Sequence, residues 1–237
     1  MRTAPSNAHS ARSVRPSHIA AALASAALLA ACGGGPRVPD WQMNAKQSLD
    51  RAQSAYLSGK DQIEKNEFAR AREQIAGTGK IDMVIRIELA RCATRVASLA
   101  FGDCPGFEAL RADASPADIA YANYLAGRAT AADAPLLPEP QRAVLAAGSD
   151  EAAAAAVAGI ADPLSKLVAA GAVFRANRAT PAVLAAAVDT ASAQGWRRPL
   201  LAWLNVQAMR AEKAGDAAEA ARLRRRMALV EGPQAGS

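Results

Sequence analysis

IDMVIRIELARCATRVASLAF, residues 81–101, is the stretch on which the fold turns. Its apolar positions Ile81, Val84, Ile85, Leu89, Cys92, Val96 and Leu99 recur at steps of three and four, the period of a helix with one buried face. No glycine or proline interrupts the run, so a helix to about Phe101 is expected. The same grammar repeats on both sides. Upstream, Asp40 opens a helix to about Ser58, stopped by Gly59, and Asp61 opens another that ends near Gly77-Thr78-Gly79. Downstream, Ser115-Pro116-Ala117-Asp118 combines a capping serine, a proline at the first helical position and an acid in the first turn. Thr180-Pro181 repeats that signal. Leu164, Leu167, Val168, Gly171 and Phe174 mark another inward face, and Gly195 and Gly215 punctuate the last three helices. Three prolines between Asp133 and Pro140 mark an internal joint. No segment has strand alternation, and Val, Ile, Tyr and Thr runs are too scarce for a sandwich or barrel. The chain reads as all-α: antiparallel helical hairpins of about two to five turns, stacked as a short repeat array or a compact bundle.

Composition agrees. The 237 residues are 51% hydrophobic and only 4% aromatic, and about a quarter are alanine. Alanine favours helix but buries little area per residue. The apolar content still suffices for a core and argues against a disordered chain. The only two histidines, His9 and His18, lie upstream of a segment expected to be removed. The mature chain would then lack imidazole, which sets aside Ser-His-Asp and Cys-His nucleophile systems and most zinc enzymes. Carboxylate-based chemistry stays open.

The N-terminus carries Arg2, Arg12 and Arg15 with no acid, followed by an uncharged Ala/Leu-rich run from Ile19 to Ala31. That is the pattern of a signal peptide, too short to span a membrane. Leu29-Ala30-Ala31-Cys32 resembles the lipobox of bacterial lipoproteins. The resemblance implies cleavage before Cys32, a diacylglyceryl thioether on its sulfur and acylation of the new amine. The only cofactor-like group expected is this covalent lipid, and two or more chains anchor stably. Gly33 follows the cysteine where inner-membrane retention, in the family's enteric-type sorting, uses aspartate. The resemblance thus implies an outer-membrane anchor facing the periplasm. An ordinary secretory signal with an incidental cysteine is the alternative. The expected organisation is a signal peptide over 1–31, an acylated cysteine and tether over 32–39 reaching at most about 25 Å, a helical domain over 40–232 and a tail over 233–237. Loss of the leader lowers the formal charge from +6 to +3, so the basic precursor is not a nucleic-acid footprint.

Two places in the body resemble the tetratricopeptide pattern. Trp203, Ala208, Ala211, Gly215, Asp216 and Ala220 fall at the spacing of its aromatic, small and turn positions, and Ala52, Ala55, Gly59, Phe68 and Ala71 repeat part of that register. Any alanine-rich hairpin would score in part, so a generic α-hairpin stack stands beside the family reading.

Cys92 and Cys104 remain once Cys32 is assigned to lipid. In an oxidising compartment they favour a disulfide, and Gly102-Asp103 before Cys104 with Pro105-Gly106 after it supply the reversal a bridge needs. Free thiols are the alternative; no CxxC motif or metal-ligand set accompanies them. Arg222, Arg224, Arg225 and Arg226 form the densest basic cluster. With Ala220, Leu223, Met227 and Val230 inward, Arg222, Arg225 and Arg226 lie outward, as a partner surface for anionic headgroups or an acidic protein, or as a solvated face. Trp196, Arg197, Arg198 and Trp203 bring aromatics and guanidiniums together, as a ligand shelf or as hairpin packing. Asp61, Glu64, Glu67 and Glu73 offer carboxylates for glycan hydrolysis, but Lys65, Arg70 and Arg72 interleave them as on an exposed helix face. No phosphate-binding glycine loop occurs. The function expected is a non-catalytic scaffold or adaptor for an envelope protein. A carrier of lipid or another small apolar ligand is the first alternative, and a cell-wall glycan enzyme the second.

Overall fold

Residues 39–232 are described by a computed structural model, and among them eleven α-helices and two 3-10 turns follow one another without a strand. The signal segment 1–31, Cys32 with most of the tether, and the tail 233–237 lie outside the described residues. The all-α expectation holds. Helices α1 (Asp40–Leu57) and α2 (Asp61–Ala76) form the first hairpin, and α3 (Ile81–Val96) packs on both. A short α4 (Pro105–Glu108) and a 3-10 turn (Arg111–Asp113) lead to α5 (Pro116–Leu125). A second 3-10 turn (Ala131–Leu136) precedes α6 (Glu139–Ala146), α7 (Asp150–Gly159), α8 (Pro163–Arg175) and α9 (Pro181–Ala193). The last hairpin is α10 (Arg197–Lys213) and α11 (Ala217–Glu231).

Local signals account for several of these ends. Ser115 accepts a hydrogen bond from the Asp118 amide at 3.2 Å while the Asp118 carboxylate accepts from the Ser115 amide at 3.0 Å. This reciprocal cap fixes the start of α5. At α9 the proline begins the helix, but the Thr180 hydroxyl makes no cap bond. Proline opens the helix without that bond because its φ is already helical and it has no amide of its own to satisfy. The segment 133–140, read as a joint, is packed: Ala134 and Leu137 are buried, and the contacts from Asp40 onward form one unit. Gln141 ties this region down, accepting from the Tyr124 hydroxyl at 2.9 Å and donating to the Ser165 carbonyl at 3.2 Å.

The central helix corrects the reading of its own sequence twice. It stops at Val96, five residues before Phe101. The Ala100 amide donates to the Arg95 carbonyl and the Leu99 amide to the Val96 carbonyl, both at 3.0 Å, with Leu99 at φ 56°. That is a Schellman closure with leucine where glycine is usual. Tertiary partners hold the stop. Trp203 of α10 donates its indole N–H to the Ala97 carbonyl at 3.0 Å. Gly171 of α8 lies so close that a Cβ there would sit 2.2 Å from the Val96 carbonyl oxygen. The second correction concerns the buried stripe. Ile81 is exposed, whereas Val84 and Ile87 are buried on a face other than that of Ile85 and Leu89. Helix α3 contacts α1, α2, α5 and α8, so it is covered on two sides. One side joins a small core with Ala45, Ala52, Phe68 and Ile75. The other joins the main core, where Ile85, Leu89 and Val96 meet Leu167, Val183, Leu204 and Trp203.

Candidate functional site

Two of the four acidic residues of α2, Glu64 and Glu67, are not on the exposed face expected from the sequence. Glu64 and Glu67 are 4% and 9% exposed, and Glu88 of α3 is 7% exposed. Each carboxylate is met by arginine. Arg91 donates Nε–H to Glu64 at 2.7 Å and Nη2–H at 3.2 Å, and Arg95 Nη2 lies 3.9 Å from the same carboxylate. Glu67 accepts from Arg51 Nε at 2.9 Å and from Arg70 Nη1 at 3.1 Å. Glu88 accepts from Arg72 Nε at 3.0 Å. The Arg51 hydrogen bond holds the Glu67 carboxyl below the usual carboxylate range, with Arg70 adding to it. These carboxylates turn inward because α1, α2 and α3 enclose them and because arginine stems cover apolar surface while their heads pair. Arg91 also lies 4.2 Å over the Phe68 ring. Asp61 instead pairs with Arg198 of α10, and Glu73 is exposed. The four acids therefore do not converge as a hydrolytic pair.

Beyond α3 the chain reverses through residues 97–104. The Cys92 and Cys104 sulfurs are bonded, at 2.13 Å, with Cα atoms 6.0 Å apart. The bridge brings α4 back against α3, and Gly106 lies against the Glu88 carboxylate: a Cβ there would sit 2.0 Å from one of its oxygens and the acid would have to shift. The returned loop leaves a cleft of about 350 Å³ walled by α3, the 100–104 segment, α4, α5 and Arg175 of α8. Its floor includes Val96, Phe107 and Leu125, all buried. Its rim carries the guanidiniums of Arg95, Arg111, Arg128 and Arg175 against the carboxylates of Asp103 and Glu108. Glu108 is held by Arg111 through bonds of 2.7 and 2.9 Å, which keep its carboxyl below the usual range. Arg175 donates to the Leu125 carbonyl at 3.1 Å and lies 5.3 Å over the Phe101 ring. Phe101 stacks on Phe174, which meets Trp203 edge-on at 5.7 Å. An aromatic ladder thus runs from the cleft rim into the core.

The remaining sequence candidates separate. Trp203 is fully buried and belongs to the core, and Arg198 turns inward to the Tyr56 carbonyl at 2.7 Å, so neither joins a surface shelf. The reason is that α10 packs back on α1, a contact that local spacing does not reveal. Trp196 is half-buried at the start of α10, and Arg197 beside it is exposed. On α11, Arg222 pairs with Glu219 at 2.6 Å, and Arg224 pairs with Glu212 at 2.9 Å. Arg226, expected outward, is half-buried and donates to the Ser192 hydroxyl at 3.3 Å, because α11 leans on the end of α9. Arg225 is exposed. Sequence reasoning passed over Arg95, Arg128, Arg175 and Phe101. Only Phe101 had a local signal, in the Phe-Gly-Asp-Cys-Pro-Gly run of residues 101–106.

Among the described residues, no three His, Cys, Asp or Glu side chains are grouped to hold a metal ion, and no helix is long and apolar enough to cross a membrane. No protein-family model, curated protein or solved structure matches the chain.

Proposed function

We propose that this chain is a lipid-anchored envelope protein whose helical body acts as a non-catalytic adaptor for a partner protein. The observation that carries the reading is the cleft beside the Cys92–Cys104 bridge: open, aromatic at one wall and rimmed by arginine. An adaptor needs such a surface, with apolar area for affinity and oriented charge for specificity. A lipid carrier would instead need an enclosed apolar cavity, and a glycan hydrolase two convergent carboxylates reachable by substrate. The buried carboxylates here are neutralised by arginine between helices. The lipobox resemblance at Leu29-Ala30-Ala31-Cys32 supports anchoring at the outer membrane, facing the periplasm, and a stable disulfide fits an oxidising compartment.

Two measurements test this. Mass spectrometry of the natively produced chain is expected to find Cys32 N-terminal and acylated; an unmodified thiol with the leader intact would remove the anchor. A photo-cross-linking residue at exposed Gly102 on the cleft wall is expected to give a discrete protein adduct in intact cells, and one at exposed Ala158 on α7 none. Equal labelling at both positions, or none at Gly102, would overturn the adaptor reading.

A further inference from the structure

We infer that the cleft recognises the C-terminal carboxylate of its partner polypeptide, carried on an apolar last residue. The inference rests on the adaptor reading and names the element of the partner that docks. It starts from an imbalance of hydrogen-bonding capacity. Glu108 is satisfied by Arg111 within the rim. Glu64, the acid nearest Arg95, already has both oxygens held by Arg91. Arg175 spends one N–H on the Leu125 carbonyl. Arg128 is exposed and has no hydrogen bond or ion pair through its side chain among the described residues. The donors of Arg95, Arg128 and Arg175 therefore exceed the acceptors that the cleft supplies, with Asp103 the remaining acid on the rim. A planar carboxylate is the natural complement of a guanidinium fork, and charge-assisted pairs of this kind are among the stronger hydrogen bonds.

The shape selects a chain end. Four helices and the 100–104 segment wall a space of about 350 Å³, at the small end of ligand sites. A space of that size accommodates one terminal residue and its carboxylate. The Phe101 ring, 37% exposed, with Ala100 and Ala126 beside it, offers apolar contact to the last side chain. Capture of a terminal carboxylate beside an apolar pocket is a recurrent mode of peptide recognition.

The test is calorimetric titration of the full chain in detergent with N-acetyl-Ala-Ala-Phe as the free acid, with the same peptide as its C-terminal amide, and with 3-phenylpropionate. The acid is expected to bind, the amide at least about tenfold more weakly, as loss of a charge-assisted pair requires. Phenylpropionate, lacking the preceding peptide, is expected to bind more weakly than the tripeptide acid. Arg128→Gln is expected to weaken the acid about tenfold. Because Arg128 is exposed, helicity and the disulfide should be unchanged in this variant. No binding of the acid, equal binding of acid and amide, or an unaltered affinity in R128Q would overturn the inference. Phenylpropionate binding as tightly as the tripeptide would overturn its assignment to a polypeptide terminus. If the Gly102 cross-link forms but the tripeptide acid does not bind, the adaptor reading stands and this inference alone fails.

Discussion

The first three helices and the last four solve one problem in different ways. Both ends of the body are antiparallel helices with short turns. Helices α1 to α3 are joined by a small apolar core and a layer of arginine–glutamate pairs. Helices α8 to α11 are joined through the main apolar core, where Ala169, Ala170, Ala187, Ala191, Ala208 and Trp203 are all fully buried. Alanine contributes little area per residue, so the C-terminal end depends on the larger side chains among them, Trp203 above all. The N-terminal end has longer side chains at its contacts and meets their polar heads with partners. Similar topology can thus be held by charge compensation or by an apolar core around one large side chain, and the two should respond differently to perturbation.

Trp203→Ala should have the largest effect, about 3–5 kcal/mol of stability, because it empties the core and removes the bond to the Ala97 carbonyl. Urea unfolding measures it, and a loss near 1 kcal/mol would mean the alanine layers hold without their plug. Glu64→Ala should cost about 2–4 kcal/mol, since it leaves Arg91 part-buried without its anion. A double-mutant cycle with Arg91→Ala should show strong coupling; additivity would make the polar layer incidental. Reducing the Cys92–Cys104 bond should cost about 2–3 kcal/mol by loop closure. It should also free residues 101–106 to exchange amide hydrogens while the α1–α2 hairpin stays protected.

The smallest effect expected is that of acid. Arg51 holds Glu67 below its ordinary value, so the unfolded chain takes up that proton at a higher pH than the folded one. The contribution is present above about pH 4.3, the unfolded value of Glu. It is lost as pH falls through the lower folded value. Glu108, held low by Arg111, acts in the same direction. Unfolding midpoints measured from pH 6 to pH 3 should fall, and Glu67→Gln should flatten the slope.

What could be read from the sequence was local. The Ser115 cap, the proline at position 181 and the glycine stops act within one turn, and all mark helix ends found in the structure. The disulfide was legible for the same reason: twelve residues and a Gly-Asp-Cys-Pro-Gly reversal separate its halves. The polar layer was not. Glu64 and Glu67 sit among lysines and arginines that look solvated, and Arg91 lies 27 residues from its partner. The end of α3 was illegible too, because Trp203 and Gly171 set it from other helices. The cleft escaped notice because Arg95, Arg128 and Arg175 share no motif and meet only after α5 and α8 have packed on α3.

Gly106 carries a historical implication. A side chain there would meet the Glu88 carboxylate, so enlarging position 106 would displace the acid from its place beside Arg72. Of this pair Arg72 is half exposed and can return to water, whereas Glu88 is buried and depends on its partner. Loss of the acid therefore makes room at position 106, whereas loss of the arginine first leaves a buried carboxylate alone, so the order in which these three positions change should matter.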